Sequence, residues 1–182
     1  VYMTDSITAE SLVRIYEAMG VTLPGRVAVK ISTGEPGGHN FLQPDLIKDL
    51  VNRLNGTIVE CNTAYEGRRN TTQAHWQTIR DHGFAAIAPC DILDEDGDMA
   101  IHVEGGYHLR ENYVGSHLTD FHSILMLSHF KGHAMGGFGG ALKNMSIGLA
   151  SSRGKVWIHT SATSERFEDA FTADHDSFLE SM

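Results

Sequence analysis

The sequence predicts an α/β fold: a mostly parallel sheet flanked by helices in a three-layer sandwich, with a small antiparallel insertion. Three observations predict it. Strand-like apolar runs at 26–32, 57–62 and 120–128 alternate with amphipathic runs of helical period. A polar loop leaves the end of each of these runs. Between about 91 and 115 the pattern changes to short extended pieces around Asp96-Gly97, a hairpin-turn signal.

The elements follow in order. Residues 1–4 read as a short strand. Ser6 or Thr8 is placed to cap a helix over Ala9–Met19, with Gly20 past its end. The strand at 26–32 leads into the loop 34–40. Pro44 opens a helix over 44–54, where Leu46, Ile47, Leu50, Val51 and Leu54 share a face and Gly56 follows. The strand 57–62 and the loop 63–70 precede a helix over 72–82, closed by Gly83. Segments 91–95 and 98–103 are expected to flank the Asp96-Gly97 turn, joined by an extended piece at 111–115. The strand 120–128 then runs into a glycine-rich loop, a helix near 140–149, a strand at 155–159 and a terminal helix over 164–182.

A chain of 182 residues suits one domain, here 1–182. Its formal charge of −9 argues against a general nucleic-acid or anionic-membrane binder. No run of about 18 apolar residues and no signal peptide is present, so a cytoplasmic chain is expected. Cys61 and Cys90 form no Cys-x-x-Cys, which excludes the usual structural zinc site and a cluster held by this segment alone. A Cys61–Cys90 disulfide and two reduced thiols both remain open. The first residues begin as if inside a strand and the last helix has no stop signal, so a longer parent chain is expected.

In parallel sheets ligands bind beyond the carboxyl ends of the strands. Three loops leave such ends, at 34–40, 63–70 and 129–144. The last holds His129, Lys131, His133, Gly136, Gly137, Gly139, Gly140, Lys143 and Asn144. Glycine lets backbone N–H groups approach a ligand, and the two lysines would hold a phosphate or carboxylate. The stretch is neither a P-loop nor a complete dinucleotide fingerprint. Close backbone packing against a neighbour is the competing explanation for its glycines. His129 and His133, with His159, are candidate ligands for a divalent metal or proton carriers; the alternative is ordinary hydrogen-bonded histidines. Asn62, Tyr65, Arg68 and Arg69 follow the third expected strand, and an arginine there could grip an anion bidentately. Glu35 and His39 could form an acid–base pair. The acidic run 94–98 has the wrong glycine position for an EF-hand and reads as a solvated turn. Cys61 reads as a small core residue.

These residues resemble a known family. The segments Lys30-Ile31-Ser32-Thr33-Gly34-Glu35, Asn62-Thr63-Ala64-Tyr65-Glu66-Gly67-Arg68, His75 and His82-Gly83-Phe84 carry the resemblance, together with Ser128-His129-Phe130-Lys131-Gly132-His133, the stretch 136–144, Gly154-Lys155 and His159. The chain is similar to domain-of-unknown-function family 362, often described as uncharacterised iron–sulfur-centre proteins. The resemblance implies Lys131, His133, Gly136, Gly139, Gly140, Lys143, Asn144, Lys155 and His159 as site positions, without chemical roles. It also implies a ferredoxin-like domain or redox partner carrying a [4Fe–4S] cluster, whose cysteines would have to lie outside these 182 residues. The expected function is therefore a domain holding a small anionic ligand, with a metal as a further expectation, at the strand ends. The alternative is a non-catalytic scaffold whose glycine loop packs on a partner domain. The residues do not decide whether the chain is an enzyme.

Overall fold

A computed structural model describes residues 1–170 and 172–182. Along the chain come α1 (Ala9–Met19), β1 (Val27–Lys30), α2 (Pro44–Arg53), β2 (Thr57–Glu60), α3 (Thr72–Asp81), β3 (Cys90–Ile92), β4 (Asp98–His102), β5 (Glu111–Gly115), β6 (Ser123–Met126), β7 (Lys131–His133), β8 (Gly137–Gly139), α4 (Ala141–Leu149), α5 (Ser152–His159) and α6 (His175–Ser181). Strands β3, β2, β1 and β6 form one parallel sheet in that order. The fold is α/β, as expected.

Alternation along β1 and β2 builds the layers. Val27, Val29 and Ile31, with Ile58, face a core completed by Ile47, Leu50 and Val51 of α2 and Ile79 of α3, with α1 packed at its margin. Ala28, Val59 and Cys61 face the other way, onto Leu93 and Leu149 of α4. Helices thus cover both faces, which fits strands buried on both sides. Thr8, rather than Ser6, caps α1 by accepting from Ser11 N–H, and Gly20 ends it in the left-handed conformation. No helix among the described residues is long and apolar enough to cross a membrane.

Four expectations are corrected. Residues 155–159 are helical: Ser151 caps α5 by accepting from Gly154 N–H, and Asp94 takes Ser152 N–H at 2.9 Å. A short apolar run carries no period of its own, so these caps decide its conformation. Residues 90–92 belong to the parallel sheet as an edge strand, and the antiparallel ribbon is β4 with β5. Asp96-Gly97 therefore joins the sheet to the ribbon and is not a hairpin turn. Residues 1–4 form no strand and pair with none of the three sheets. The expected terminal helix is broken into a 3₁₀ turn (Phe167–Asp169) and α6, where Asp174 accepts from Asp176 and Ser177 N–H; residue 171 of that expected helix lies outside the described residues. The glycine-rich loop also carries structure of its own, the small hairpin β7–β8, with Gly137 at a positive φ of 73° where β8 leaves the turn and pairs with His133.

Candidate functional site

Strand β1 has β2 on one side and β6 on the other. The chain winds away from β1 in both directions, and such a switch point opens a crevice at the carboxyl ends of the strands. Asn144, in the first turn of α4, spans this crevice. Its amide nitrogen donates to Lys30 O at 3.2 Å and Leu127 O at 3.3 Å, and to Ser128 Oγ at 3.0 Å. Its Oδ1 accepts from Lys30 Nζ at 2.9 Å.

Lys30 is 1% exposed. Its ammonium also donates to Glu60 Oε2 at 2.8 Å and Ile31 O at 2.5 Å, so all three protons have acceptors. Gly148 makes room for it: a Cβ there would lie 3.0 Å from Lys30 Nζ and 2.8 Å from Asn144 Oδ1. Glu60 accepts from Thr33 N–H at 2.9 Å and faces Arg69 Nη1 at 3.6 Å. Burial alone would raise the Glu60 carboxyl, but Lys30, His75 and Arg69 outweigh it and hold it down to about 2. Behind this pair His75 is fully buried. Its Nδ1–H donates to Asn62 Oδ1 at 3.2 Å, which leaves Nε2 facing the Thr33 hydroxyl at 3.2 Å. Burial pushes His75 down to about 4, so it is neutral near pH 7.

Above this polar floor lies a cavity of about 610 Å³. Five cations line it: Lys30, Arg69, Lys131, Lys143 and Lys155, against the carboxylates Glu35 and Glu60. Lys30 is paired with Glu60, and Arg69 with Glu35. No ion pair among the described residues involves Lys131, Lys143 or Lys155. Burial lowers the Lys143 ammonium, and repulsion from Lys131, Lys155, Lys30 and Arg69 lowers it further. Lys155 is lowered mainly by burial, and donates to Ala150 O at 2.5 Å. Gly139, Gly140 and the first turn of α4 form one wall, where Gly140 offers no side-chain cap to the helix N–H groups.

Three histidines line the same cavity: His129, His133 and His159. His133 Nδ1 accepts from Met135 N–H at 3.3 Å and Gly136 N–H at 3.0 Å, so its ring proton sits on Nε2. His159 has the opposite tautomer. Its Nδ1 lies 2.6 Å from Lys155 O, and a carbonyl only accepts, so Nδ1 carries the proton and Nε2 the lone pair. His129 Nδ1 is buried without a partner. The three rings do not converge as ligands; among the described residues the close trio of potential metal donors is Asp91, Glu95 and His117, away from the cavity. His159 alone of the two defined tautomers has a free lone pair and a carbonyl behind it, the arrangement a metal ligand needs.

The other sequence candidates divide. Glu35, Lys131, Gly139, Gly140, Lys143, Asn144 and Lys155 line the cavity. Gly136 and Gly137 do not; they shape the hairpin, Gly136 through its bond to His133. Asn62 orients His75 from behind the floor. Arg68 is exposed and off the cavity; its neighbour Arg69 is the buried one. His39 is also exposed, and Glu35 engages Tyr65 Oη at 2.7 Å together with Arg69, not His39. Asp94 is not a solvated turn residue: it accepts from Asn62 N–H at 2.8 Å and ties β2 to α5. Alanine would fit at Gly139 and Gly140, whose added Cβ atoms meet nothing nearer than 3.5 Å. Close packing is thus no explanation for those two glycines. Sequence reasoning missed Lys30 and His75 as parts of the floor. The signal was there: a lysine within Val27-Ala28-Val29-Lys30-Ile31 and a glutamate ending the next strand are opposite charges on neighbouring strand ends.

An iron–sulfur cluster does not fit these residues. It needs four thiolates, and the chain has two cysteines, both free thiols. Cys90 pairs in register with Ile58, three residues before Cys61, which sets the two about 10 Å apart along the sheet. Burial pushes both thiols up to about 12.

No curated protein and no solved structure matches the chain. The family model described as Domain of unknown function (DUF362) matches residues 27–180, from the first residue of β1 into α6. The match takes in the whole parallel sheet and every residue named in the cavity, and the chain belongs to that family.

Proposed function

We propose that the cavity binds a small organic anion with more than one negative charge, carried as carboxylate or phosphate. The observation that carries this reading is the set Lys131, Lys143 and Lys155. These ammonium groups line one cavity without a carboxylate partner among the described residues, in a chain of formal charge −9. Lys155 is buried, Lys143 half-buried and Lys131 exposed at the rim; holding unpaired, partly desolvated cations together is costly, and a bound anion offsets that cost. The α4 N-terminus adds donors of the right sign. Phe41, Met135 and Ile147 give the same cavity an apolar side, which suits a carbon skeleton. A bare metal ion is the weaker occupant, because the surrounding cations would repel it.

Calorimetric titration at low ionic strength with inorganic phosphate and with malonate tests this. Saturable binding of either ion is expected, weakened at least about tenfold in Lys143→Ala, while the thermal midpoint of the free variant stays the same or rises. Absence of binding by both ions, or equal binding by the variant, would sink the reading.

One observation favours a second role for the same hairpin. Phe130 and Phe138 touch each other and are 76% and 48% exposed, and Leu142 and Met145 share an exposed face of α4. Such an apolar face suits a partner domain. If it docks one, Phe130→Ser should change association with the partner and leave phosphate binding intact.

A further inference from the structure

The two histidine tautomers in the cavity are opposite, and each is fixed by main-chain groups. From this we propose that His159, with His133 as hydrogen-bond donor, carries out proton transfer on the bound anion, with a dianionic carbonyl compound (a 2-oxo dicarboxylate or a phosphorylated ketone) as substrate. This rests on the reading of the cavity as an anion site.

His159 Nε2 holds a lone pair because Nδ1–H is committed to Lys155 O. It is therefore the base. His133 Nε2 carries a proton because Nδ1 is occupied by two main-chain N–H groups. Protonating Nδ1 would set three donors against one another, so His133 stays neutral and acts as a hydrogen-bond donor, not as a source of protons. Burial and the neighbouring lysines lower both rings, which keeps His159 in its free-base form near neutral pH. A neutral imidazole that polarises a carbonyl beside a separate base is an established way to acidify a neighbouring C–H bond.

The step balances without any further reagent. The C–H bond next to the carbonyl breaks and its proton goes to His159 Nε2. The electron pair forms the carbon–carbon double bond of an enolate, and the carbonyl π pair moves onto oxygen. The His133 Nε2–H and one of the three unpaired ammonium groups stabilise that oxyanion. Return of the proton from the His159 imidazolium to carbon closes the cycle, with solvent exchange as its signature. The other two unpaired lysines hold the carboxylate or phosphate, which gains no charge during the step.

Two measurements test the proposal. The first uses the ¹⁵N-labelled protein with no ligand: long-range ¹H–¹⁵N correlation should give an unprotonated Nε2 for His159 and an unprotonated Nδ1 for His133. Exchange-averaged or reversed tautomers would overturn it. The second follows loss of carbon-bound ¹H signal in D₂O from 2-oxoglutarate and from dihydroxyacetone phosphate. Protein-dependent exchange is expected with one of them, falling about 10²–10⁴-fold to the buffer rate in His159→Gln. In His133→Gln part of the rate should survive, because the glutamine amide puts an N–H near the same place. Binding of both probes is measured in parallel. If neither binds while phosphate or malonate does, the anion site stands and the carbonyl-substrate role falls; if phosphate and malonate fail as well, the anion site itself fails; if a probe binds and no proton exchanges, the anion site stands and the proton-transfer role falls.

Discussion

At the scale of single residues, the floor of the cavity is where charge and burial are most sharply opposed. Lys30 and Glu60 are each nearly excluded from water, and either would be costly alone. Lys30→Met leaves Glu60 with Arg69 Nη1 at 3.6 Å as its remaining cation and removes a donor from Asn144. A loss of about 3–5 kcal/mol is expected in chemical denaturation, and Lys30→Met/Glu60→Gln should lose less than the sum of the two single changes. His75 and Glu60 also set the acid limit of the fold. The native His75 value of about 4 lies below its ordinary 6.5, so the unfolded chain binds that proton more readily. The stability this contributes is complete above pH 6.5 and is lost as pH falls from 6.5 to 4. Glu60, at about 2 against 4.5, contributes stability that is complete above 4.5 and lost as pH falls toward 2. Both act in the same direction, so the urea midpoint should decline below pH 6.5 and steepen below 4.5. In His75→Gln the upper slope should shrink to what His133 and His159, also lowered, still contribute; an unchanged upper slope would refute this assignment.

At the scale of elements, helix α5 fixes where Lys155 and His159 enter the cavity, and one glycine lets it do so. A Cβ on Gly154 would lie 2.0 Å from Tyr113 O of β5, a main-chain atom with little freedom to move. Gly154→Ala should therefore cost at least about 1–3 kcal/mol and displace Lys155, whereas Gly139→Ala, with its nearest neighbour at 3.6 Å, should leave the midpoint of thermal unfolding nearly unchanged. The contrast shows what the sequence displays and what it hides. Helices α1 to α3 and strands β1, β2 and β6 are legible because period, caps and strand-end loops agree. Helix α5 is not, because Val156, Trp157 and Ile158 favour a strand locally while its caps come from Asp94, more than fifty residues away, and from Ser151. The cationic wall is legible because Lys131, Lys143 and Lys155 lie near one another in sequence. The buried floor depends on the pairing of β1 with β2 and on α3 behind them, so Lys30, Glu60 and His75 meet only in three dimensions. Arg68 and Arg69 differ by which side of the loop turns inward, and spacing carries no information about that.

At the scale of the whole molecule, the charge distribution runs against the total. The chain has a formal charge of −9, yet five cations line one cavity with two carboxylates. Field lines in a concave, partly desolvated site are focused, so an anion meets a positive potential there despite the negative surface around it. The same arrangement couples binding to protons. In the free protein Lys143, Lys155, His133 and His159 are all held below their ordinary values by burial first; neighbouring cations lower Lys143, His133 and His159 further, a main-chain bond partly opposes this at His159, and Asp94 and Glu60 partly oppose it at Lys155. On the proposed reading, a bound anion favours the charged form of Lys143, Lys155 and His159, raises their values and draws protons from solution, while His133 stays neutral with its Nδ1 occupied. Affinity must then rise as pH falls through the depressed lysine range, and again through the histidine range, by linkage. Sulfate is the useful probe, because its own charge is constant across both. Calorimetry in buffers of different ionisation enthalpy should record net proton uptake on sulfate binding, larger at about pH 8.5 than the histidines alone can supply. Lys143→Ala should remove part of that uptake as well as part of the affinity. Raising the ionic strength from about 10 mM to about 150 mM should weaken binding only moderately, since charges half buried in a cavity are screened less than exposed ones. Binding with no proton uptake, or with release, would mean that the lysines are already fully charged in the free protein, and the cavity would then owe its affinity to the α4 N-terminus and Arg69 instead.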